Sequence, residues 1–288
     1  MTNCIPVLLT PFKEDYSIDF EGLENLLGYY KDNSISRLWV LGTGSEDMAL
    51  EFSIRKTIVD FVVNYSNQHF DCLVGTSFYG LSESLAFTEA LNQYNLSGVH
   101  YMSYSNLLST QQALRNFKAI CNYSNNPVMG YTSANWGLSF TSNEVDSFSR
   151  INNCIGIKYS TSNVVDTENA LSYQSSRFEV IPAVVKQLLP SLILGAKSFT
   201  TVEASIFLSL ITDLEKAFNN SDFQRARKIQ RELNSDISST SKSPSKNNFL
   251  RNAEIKSILE HRGICKRWVA QGFTQIDDLE FEELKDFS

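Results

Sequence analysis

At 288 residues, with a formal net charge of -7, 20% charged and 42% apolar residues, the chain has the composition of a folded globular protein large enough for one α/β barrel. The acidic balance excludes general attraction to nucleic acid or to an anionic membrane, because either partner needs a cationic face. Five scattered cysteines, Cys4, Cys72, Cys121, Cys154 and Cys265, form no C-x-x-C pair, and Met1 to Thr10 lacks the features of a signal peptide or membrane span. A cytoplasmic protein with reduced thiols, without structural zinc or another metal, is expected.

In chain order, short apolar runs recur at Cys4 to Leu9, Arg37 to Leu41, Asp71 to Gly75, Gly98 to Met102, Pro127 to Tyr131, Cys154 to Lys158, Phe178 to Pro182 and Ser198 to Val202. They are rich in β-branched residues and have strand length. Between them, Phe20 to Asp32, Ile54 to Asn67, Ser82 to Tyr94 and Thr110 to Asn122 repeat apolar residues every three or four positions, as amphipathic helices do. Strand and helix in alternation predict parallel strands with crossover helices. Eight such units in roughly 215 residues fit a closed (β/α)8 TIM barrel. An open doubly wound sheet would carry a Gly-rich turn after its first strand, where this chain has Thr10-Pro11-Phe12.

The barrel is expected over residues 1–218, with a small C-terminal helical region over 219–288. There, Asp222 to Leu233 and Ala253 to Glu260 read as helices, Ser235 to Asn248 as an exposed polar loop, and the acidic stretch Asp277 to Asp286 as a solvated terminal helix or coil.

Active sites of such barrels sit where the strands end. The strand ends here are Thr10, Thr43, Thr76, Tyr104 with Ser105, Tyr131, Lys158, Ala183 and Thr200. Lys158 closes an apolar run, and desolvation there favours the neutral amine, the form that attacks a carbonyl carbon. A lysine snorkelling to solvent is the commoner outcome for one such residue. Tyr131 closes another run; its phenol is either a buried, satisfied hydroxyl or a proton shuttle. Gly42-Thr43-Gly44-Ser45-Glu46 is either an anion-holding turn or a plain strand-to-helix turn with Ser45 as cap. His69, His100 and His261 are dispersed and form no expected site.

Taken together, Thr10-Pro11-Phe12, Gly42-Thr43-Gly44-Ser45-Glu46, Tyr131 and Gly156-Ile157-Lys158 resemble, in order and spacing, the dihydrodipicolinate synthase and N-acetylneuraminate lyase family of pyruvate-dependent class I aldolases. The resemblance extends to Ser103-Tyr104-Ser105-Asn106, at the family's Pro-Tyr-Tyr-Asn, and to Lys256 and Gly263 near the C-terminus. It implies Lys158 as the Schiff-base lysine, Tyr131 as the proton-transferring tyrosine and Thr43 as a relay hydroxyl. Gly44, Ser105, Tyr104, Trp136 and Ala183 are then expected at the substrate. The implied partners are a small 2-oxo acid and an aldehyde, with no cofactor, in a homo-oligomer (dimer or tetramer).

Departures from the family pattern narrow the activity. Ser105 stands where a neighbouring subunit usually lends a tyrosine, and Gly44 replaces a second threonine. No basic residue lies between Lys118 and Arg150, where dihydrodipicolinate synthases carry an arginine near Trp136. Pro182-Ala183-Val184-Val185 replaces the polar groups with which sialic acid lyases bind sugar hydroxyls. The expected enzyme is therefore a divergent aldolase, neither a true dihydrodipicolinate synthase nor a sialic acid lyase, with an apolar or aromatic acceptor. The other reading, supported by Ser105, Gly44 and Pro182, is a weak or inactive relative acting as a binding or structural protein. A phosphate-binding barrel ranks last, for want of a Gly-rich turn after the seventh or eighth strand.

Overall fold

The computed structural model describes residues 3–66, 69–133, 135–241 and 250–287. Strands and helices alternate as β1 (Cys4–Pro6), α1 (Phe20–Asp32), β2 (Arg37–Val40), α2 (Phe52–Ser66), β3 (Asp71–Gly75), α3 (Leu81–Leu91), β4 (Gly98–Tyr101) and α4 (Thr110–Tyr123). They continue as β5 (Val128–Ser133), α5 (Val145–Ser149), β6 (Cys154–Ser160), α6 (Val164–Leu171), β7 (Glu179–Pro182), α7 (Leu188–Ile193), β8 (Phe199–Thr201) and α8 (Ala204–Asn219). Helices α9 (Phe223–Thr240), α10 (Leu250–His261) and α11 (Asp278–Glu283) follow. All strand pairs are parallel.

The ladder runs unbroken from β2 to β7, and β1 pairs with β8. Val7 and Leu8 join the two parts: Val7 bridges Trp39, and the Leu8 N–H donates to the Trp39 carbonyl at 2.9 Å. Pairing therefore continues past Pro6, since the Val7 N–H also donates to the Thr201 carbonyl of β8 at 3.1 Å. At the opposite end, Arg37 at the start of β2 forms a two-pronged pair with Glu179 of β7 (2.9 and 3.1 Å), and Ser198 before β8 donates to the same carboxylate. The sheet thus closes into a (β/α)8 barrel with a C-terminal helical extension.

Strand alternation sorts side chains into two cores, because successive residues point to opposite faces. Ile5, Trp39, Leu73, Met129, Tyr131 and Ile181 fill the barrel interior. Their strand neighbours, among them Leu38, Val40, Val128, Ile157, Tyr159 and Val180, pack outward beneath the helices. On β6 this leaves Lys158, between outward Ile157 and Tyr159, directed inward. Helix α4 meets that shell with one stripe: Ala113, Phe117, Ile120 and Cys121 are buried, and Ser109 with Gln112 caps the first turn reciprocally.

The C-terminal helices correct one expectation. Residues 235–240 are not loop: they extend α9, because Ile237 falls one turn after Leu233 and both are buried. The rest of the expected loop, beyond Ser241, lies outside the described residues. In α10 every residue from Asn252 to Leu259 is buried, Glu254 and Lys256 included. The acidic tail forms α11 and a short 3-10 turn, Leu284–Phe287, held by buried Leu284 and by His261 stacked on Phe281 at 4.1 Å.

Candidate active site

Register places the central pair. On β6 one extra residue, Ile155, slips into the ladder, so that Val128 faces Cys154 but Met129 faces Gly156. Downstream of that bulge Tyr131 and Lys158 are direct partners on adjacent strands. Gly156 permits the crossing: a Cβ there would lie 2.2 Å from the Glu179 carbonyl oxygen. The Lys158 Nζ lies 4.2 Å from the centre of the Tyr131 ring and 4.8 Å from that of Trp39.

Lys158 is 6% exposed. Burial lowers its pKa to about 7, and the charge of Asp47 pushes the other way. Near neutral pH the amine therefore has ready access to its neutral form. The Tyr131 hydroxyl shares a 3.0 Å hydrogen bond with Thr43 Oγ1. Burial holds that phenol above its ordinary range, so it stays protonated and able to donate. His100, buried and stacked on Trp39 at 3.9 Å, is pushed well down by burial and by Lys158, and stays neutral.

Thr43 opens a 3-10 turn, Thr43–Ser45, directly after β2, and a second turn, Asp47–Ala49, follows. Ser45 is not the cap of α2, which starts at Phe52; its hydroxyl donates to the Leu8 carbonyl at 2.6 Å and ties the turn to β1. Gly44 lets the turn lie close to two strand ends: a Cβ there would press on the Val7 Cγ1 methyl at 3.0 Å and touch Val202 Cβ at 3.5 Å. From the other side α10 grips the turn. Asn252 donates to the Gly44 carbonyl (2.9 Å), and the fully buried Lys256 pairs with Glu46 at 2.5 Å. The second Glu46 oxygen accepts from the Ala270 N–H at 2.6 Å.

A cavity of about 490 Å³ opens above these groups, lined by Thr43, Gly44, Tyr131, Trp136, Lys158 and Ala183 among others. Six of the eight residues expected from sequence thus share one cavity. The other two do not line it. Tyr104 turns away to donate to Asp47 Oδ2 at 2.6 Å, and the Ser105 hydroxyl accepts from the Leu107 N–H at 3.4 Å within its own loop. Sequence reasoning also missed Asn135, Ser160, Lys186, Glu203, Arg251 and Asn252 in the lining. The last two come from α10 and carry no motif. Lys186, three residues past Ala183, was within reach of the strand-end rule. Because of these groups the cavity is not apolar throughout: Trp136, Ala183, Val7 and Val202 form an apolar wall, and Lys186 and the Arg251–Glu203 pair (3.0 Å) a charged one.

Fold and cavity together define a barrel of the lysine-bearing type, its amine buried two residues before the end of β6, which runs on to Ser160 as β5 runs on to Ser133. The Dihydrodipicolinate synthetase family model matches residues 1–286, and the chain belongs to that family. The 4-hydroxy-tetrahydrodipicolinate synthase of Parabacteroides distasonis is 27% identical over 228 residues, covering 77% of this chain and 76% of that one. The enzyme of the same name from Sulfurihydrogenibium sp. is 25% identical over 231 residues, 78% of each chain. Among solved structures, a dihydrodipicolinate synthase from Bacillus anthracis superposes with a TM-score of 0.90 at 22% identity, over 99% of this chain and 97% of that one. The Ruminococcus gnavus sialic acid aldolase gives 0.90 at 18% identity, over 99% and 95%. The fold is therefore that of both branches of the resemblance.

Proposed function

We propose that the chain is a class I aldolase or lyase, in which Lys158 forms a Schiff base with pyruvate or a similar 2-oxo acid and the resulting enamine is exchanged with an aldehyde. The observation that carries this reading is the buried Lys158 amine beside the Tyr131–Thr43 hydrogen bond in a single cavity. A lysine kept neutral by burial is a nucleophile, and a protonated phenol within reach is a general acid.

The lone pair of Nζ attacks the keto carbon, and the keto oxygen takes a proton from Tyr131. Loss of that oxygen as water, with a second proton, leaves the protonated imine. Removal of a C3 proton, or cleavage of the C3–C4 bond, puts the electron pair into the enamine, with the imine nitrogen as acceptor. The backbone N–H groups of Thr43 and Gly44 are assigned to the substrate carboxylate, with the missing second threonine hydroxyl not replaced. With its nitrogen 4.2 Å from the Tyr131 ring centre and 4.8 Å from that of Trp39, the iminium gains cation–π stabilisation.

Trp136 and Ala183 favour an acceptor with an apolar body, and Lys186 at the exposed rim suits a polar tail. Without an arginine near Trp136, dihydrodipicolinate synthase activity is not proposed, although the similar proteins carry that name. Valines 184 and 185 argue in the same way against sialic acid. Among the described residues no helix is long and apolar enough to cross a membrane. The reading includes a homo-oligomer in the cytoplasm, a setting with which five free cysteines agree.

Exchange of the pyruvate C3 protons for deuterium, followed by NMR, tests the reading, because only an enamine or enol intermediate releases them. The chain is expected to accelerate exchange, and Tyr131→Phe to slow it by about 10²- to 10⁴-fold. No acceleration with any small 2-oxo acid sinks the proposal and leaves the non-catalytic relative.

The pH dependence follows from the Lys158 value of about 7. Only the neutral amine reacts, so the initial rate of imine formation rises by about tenfold from pH 6 to pH 8 and then levels. An ordinary lysine would keep gaining about tenfold per unit beyond pH 8. Stopped-flow trapping across that range distinguishes the two.

A further inference from the structure

Asp47 is a carboxylate with no exposure, on the 3-10 turn that follows Thr43. One of its oxygens, Oδ2, accepts the Tyr104 hydroxyl at 2.6 Å and faces Arg55 Nη1 at 3.6 Å. The other, Oδ1, is buried and, among the described residues, has no side-chain or backbone hydrogen bond of good geometry, only the nearby N–H groups of Asp47 and Met48. Arg55 is held by other groups as well, donating to the carbonyls of Leu50 (3.0 Å) and Ser77 (2.5 Å) and lying on the Phe78 ring. A merely structural ion pair has no use for an open carboxylate oxygen, whose burial without a partner costs about 1–3 kcal/mol. Tyr104 packs against the barrel-interior cluster that contains Tyr131. Ser105, next to it, carries too short a side chain to take a tyrosine's place.

We propose that Asp47 and Tyr104 are positioning residues for proton transfer, reloading the Thr43–Tyr131 pair from within the same chain, so that the site needs no hydroxyl from a second subunit. This deepens the Schiff-base reading and rests on it. In each turnover one proton passes from Tyr131 to the departing keto oxygen, one from Thr43 to Tyr131, and one from the Asp47–Tyr104 pair to Thr43 through a water on the open Oδ1. No electrons are exchanged, and the pair is reprotonated from solvent through Tyr104. The charged and titratable groups that face Asp47 are Arg55 of α2, Tyr104 of the loop after β4, Tyr131 of β5 and Lys158 of β6. Burial raises Asp47 to about 6 against the opposing pull of Arg55 and of the Tyr104 hydrogen bond, and there a carboxyl both gives and takes protons near neutral pH.

The test separates occupancy from proton transfer. In Tyr104→Phe and Asp47→Asn, borohydride-trapped pyruvate adduct at long incubation and the half-saturating pyruvate concentration stay as in the unmodified chain. Deuterium exchange at saturation falls by roughly 10- to 10²-fold. A structural role would instead lower adduct and exchange together, and that outcome overturns the proposal; so does exchange within twofold of the unmodified chain. Tyr104→Phe removes one oxygen only, so it stays informative if Asp47→Asn fails to fold. Co-expressed Lys158→Ala and Tyr104→Phe chains are expected to recover no exchange beyond the Tyr104→Phe share, and recovery would put Tyr104 to work in a neighbour's site. Absence of adduct in the unmodified chain is a different failure, which removes the Schiff-base reading and this proposal with it.

Discussion

Replacing Lys158 by alanine is expected to abolish both adduct formation and pyruvate C3 exchange, with a loss on the order of 10⁴- to 10⁶-fold, the scale of removing a covalent nucleophile. The fold should survive, because an alanine on β6 leaves both the ladder and the outward Ile157 and Tyr159 in place. Lys158→Arg is expected to be equally inactive, since a guanidinium is never neutral in a protein and offers no lone pair. Exchange measured alongside circular dichroism separates lost chemistry from lost structure. Retained exchange in a folded Lys158→Ala chain would mean that another group forms the enamine.

The second large effect is on stability. Glu46→Ala is expected to destabilise the chain by about 3–5 kcal/mol, because it strands the Lys256 ammonium in a fully buried position. For a chain of this size that is a fall of about 5 to 8 °C in Tm. Lys256 has other partners, the Trp268 carbonyl at 3.1 Å and the Phe12 ring at 4.6 Å, but none of them carries a compensating charge. Adding Lys256→Met should recover much of the loss, since removing both charges of a buried pair is often close to neutral. Calorimetry on the two single variants and the double variant gives the coupling directly. A loss under about 1 kcal/mol in Glu46→Ala would show that the pair is solvated and that α10 does not hold the turn.

That pair shows what the sequence could and could not convey. The eight strands were legible because parallel strands covered on both faces are continuous apolar runs, and each ended near a polar residue. Lys158 was marked in this way as a strand-end amine, yet a strand-end amine snorkels more often than it reacts. What separates the two here is a register shift at Ile155 that brings Tyr131 opposite, and a bulge leaves no imprint on hydrophobic periodicity. Tyr104 was expected at the substrate by its place beside Ser105, and only the tertiary position of Asp47 explains why it turns away.

Asp47 follows the quoted Gly42 to Glu46 motif directly, so proximity in sequence was a usable signal. Its burial was not, since a carboxylate after a Gly-rich turn is ordinarily solvated. Arg251 and Asn252 were out of reach altogether. They reach the cavity from a helix more than two hundred residues after Thr43, through packing that no local pattern encodes. The polar stretch after Leu233 misled for a related reason: a helix wall with one buried position per turn, such as Ile237 in α9, reads as loop when its other residues are Ser and Asp.

The most direct measurement is the intact and peptide mass of the chain after incubation with pyruvate and borohydride, which converts a lysine imine to a stable secondary amine. The expected result is one pyruvate-derived adduct per chain, on the peptide that contains Lys158, and none in Lys158→Ala. No adduct from folded protein with pyruvate or other small 2-oxo acids, or an adduct on a different lysine, would contradict the account at its centre.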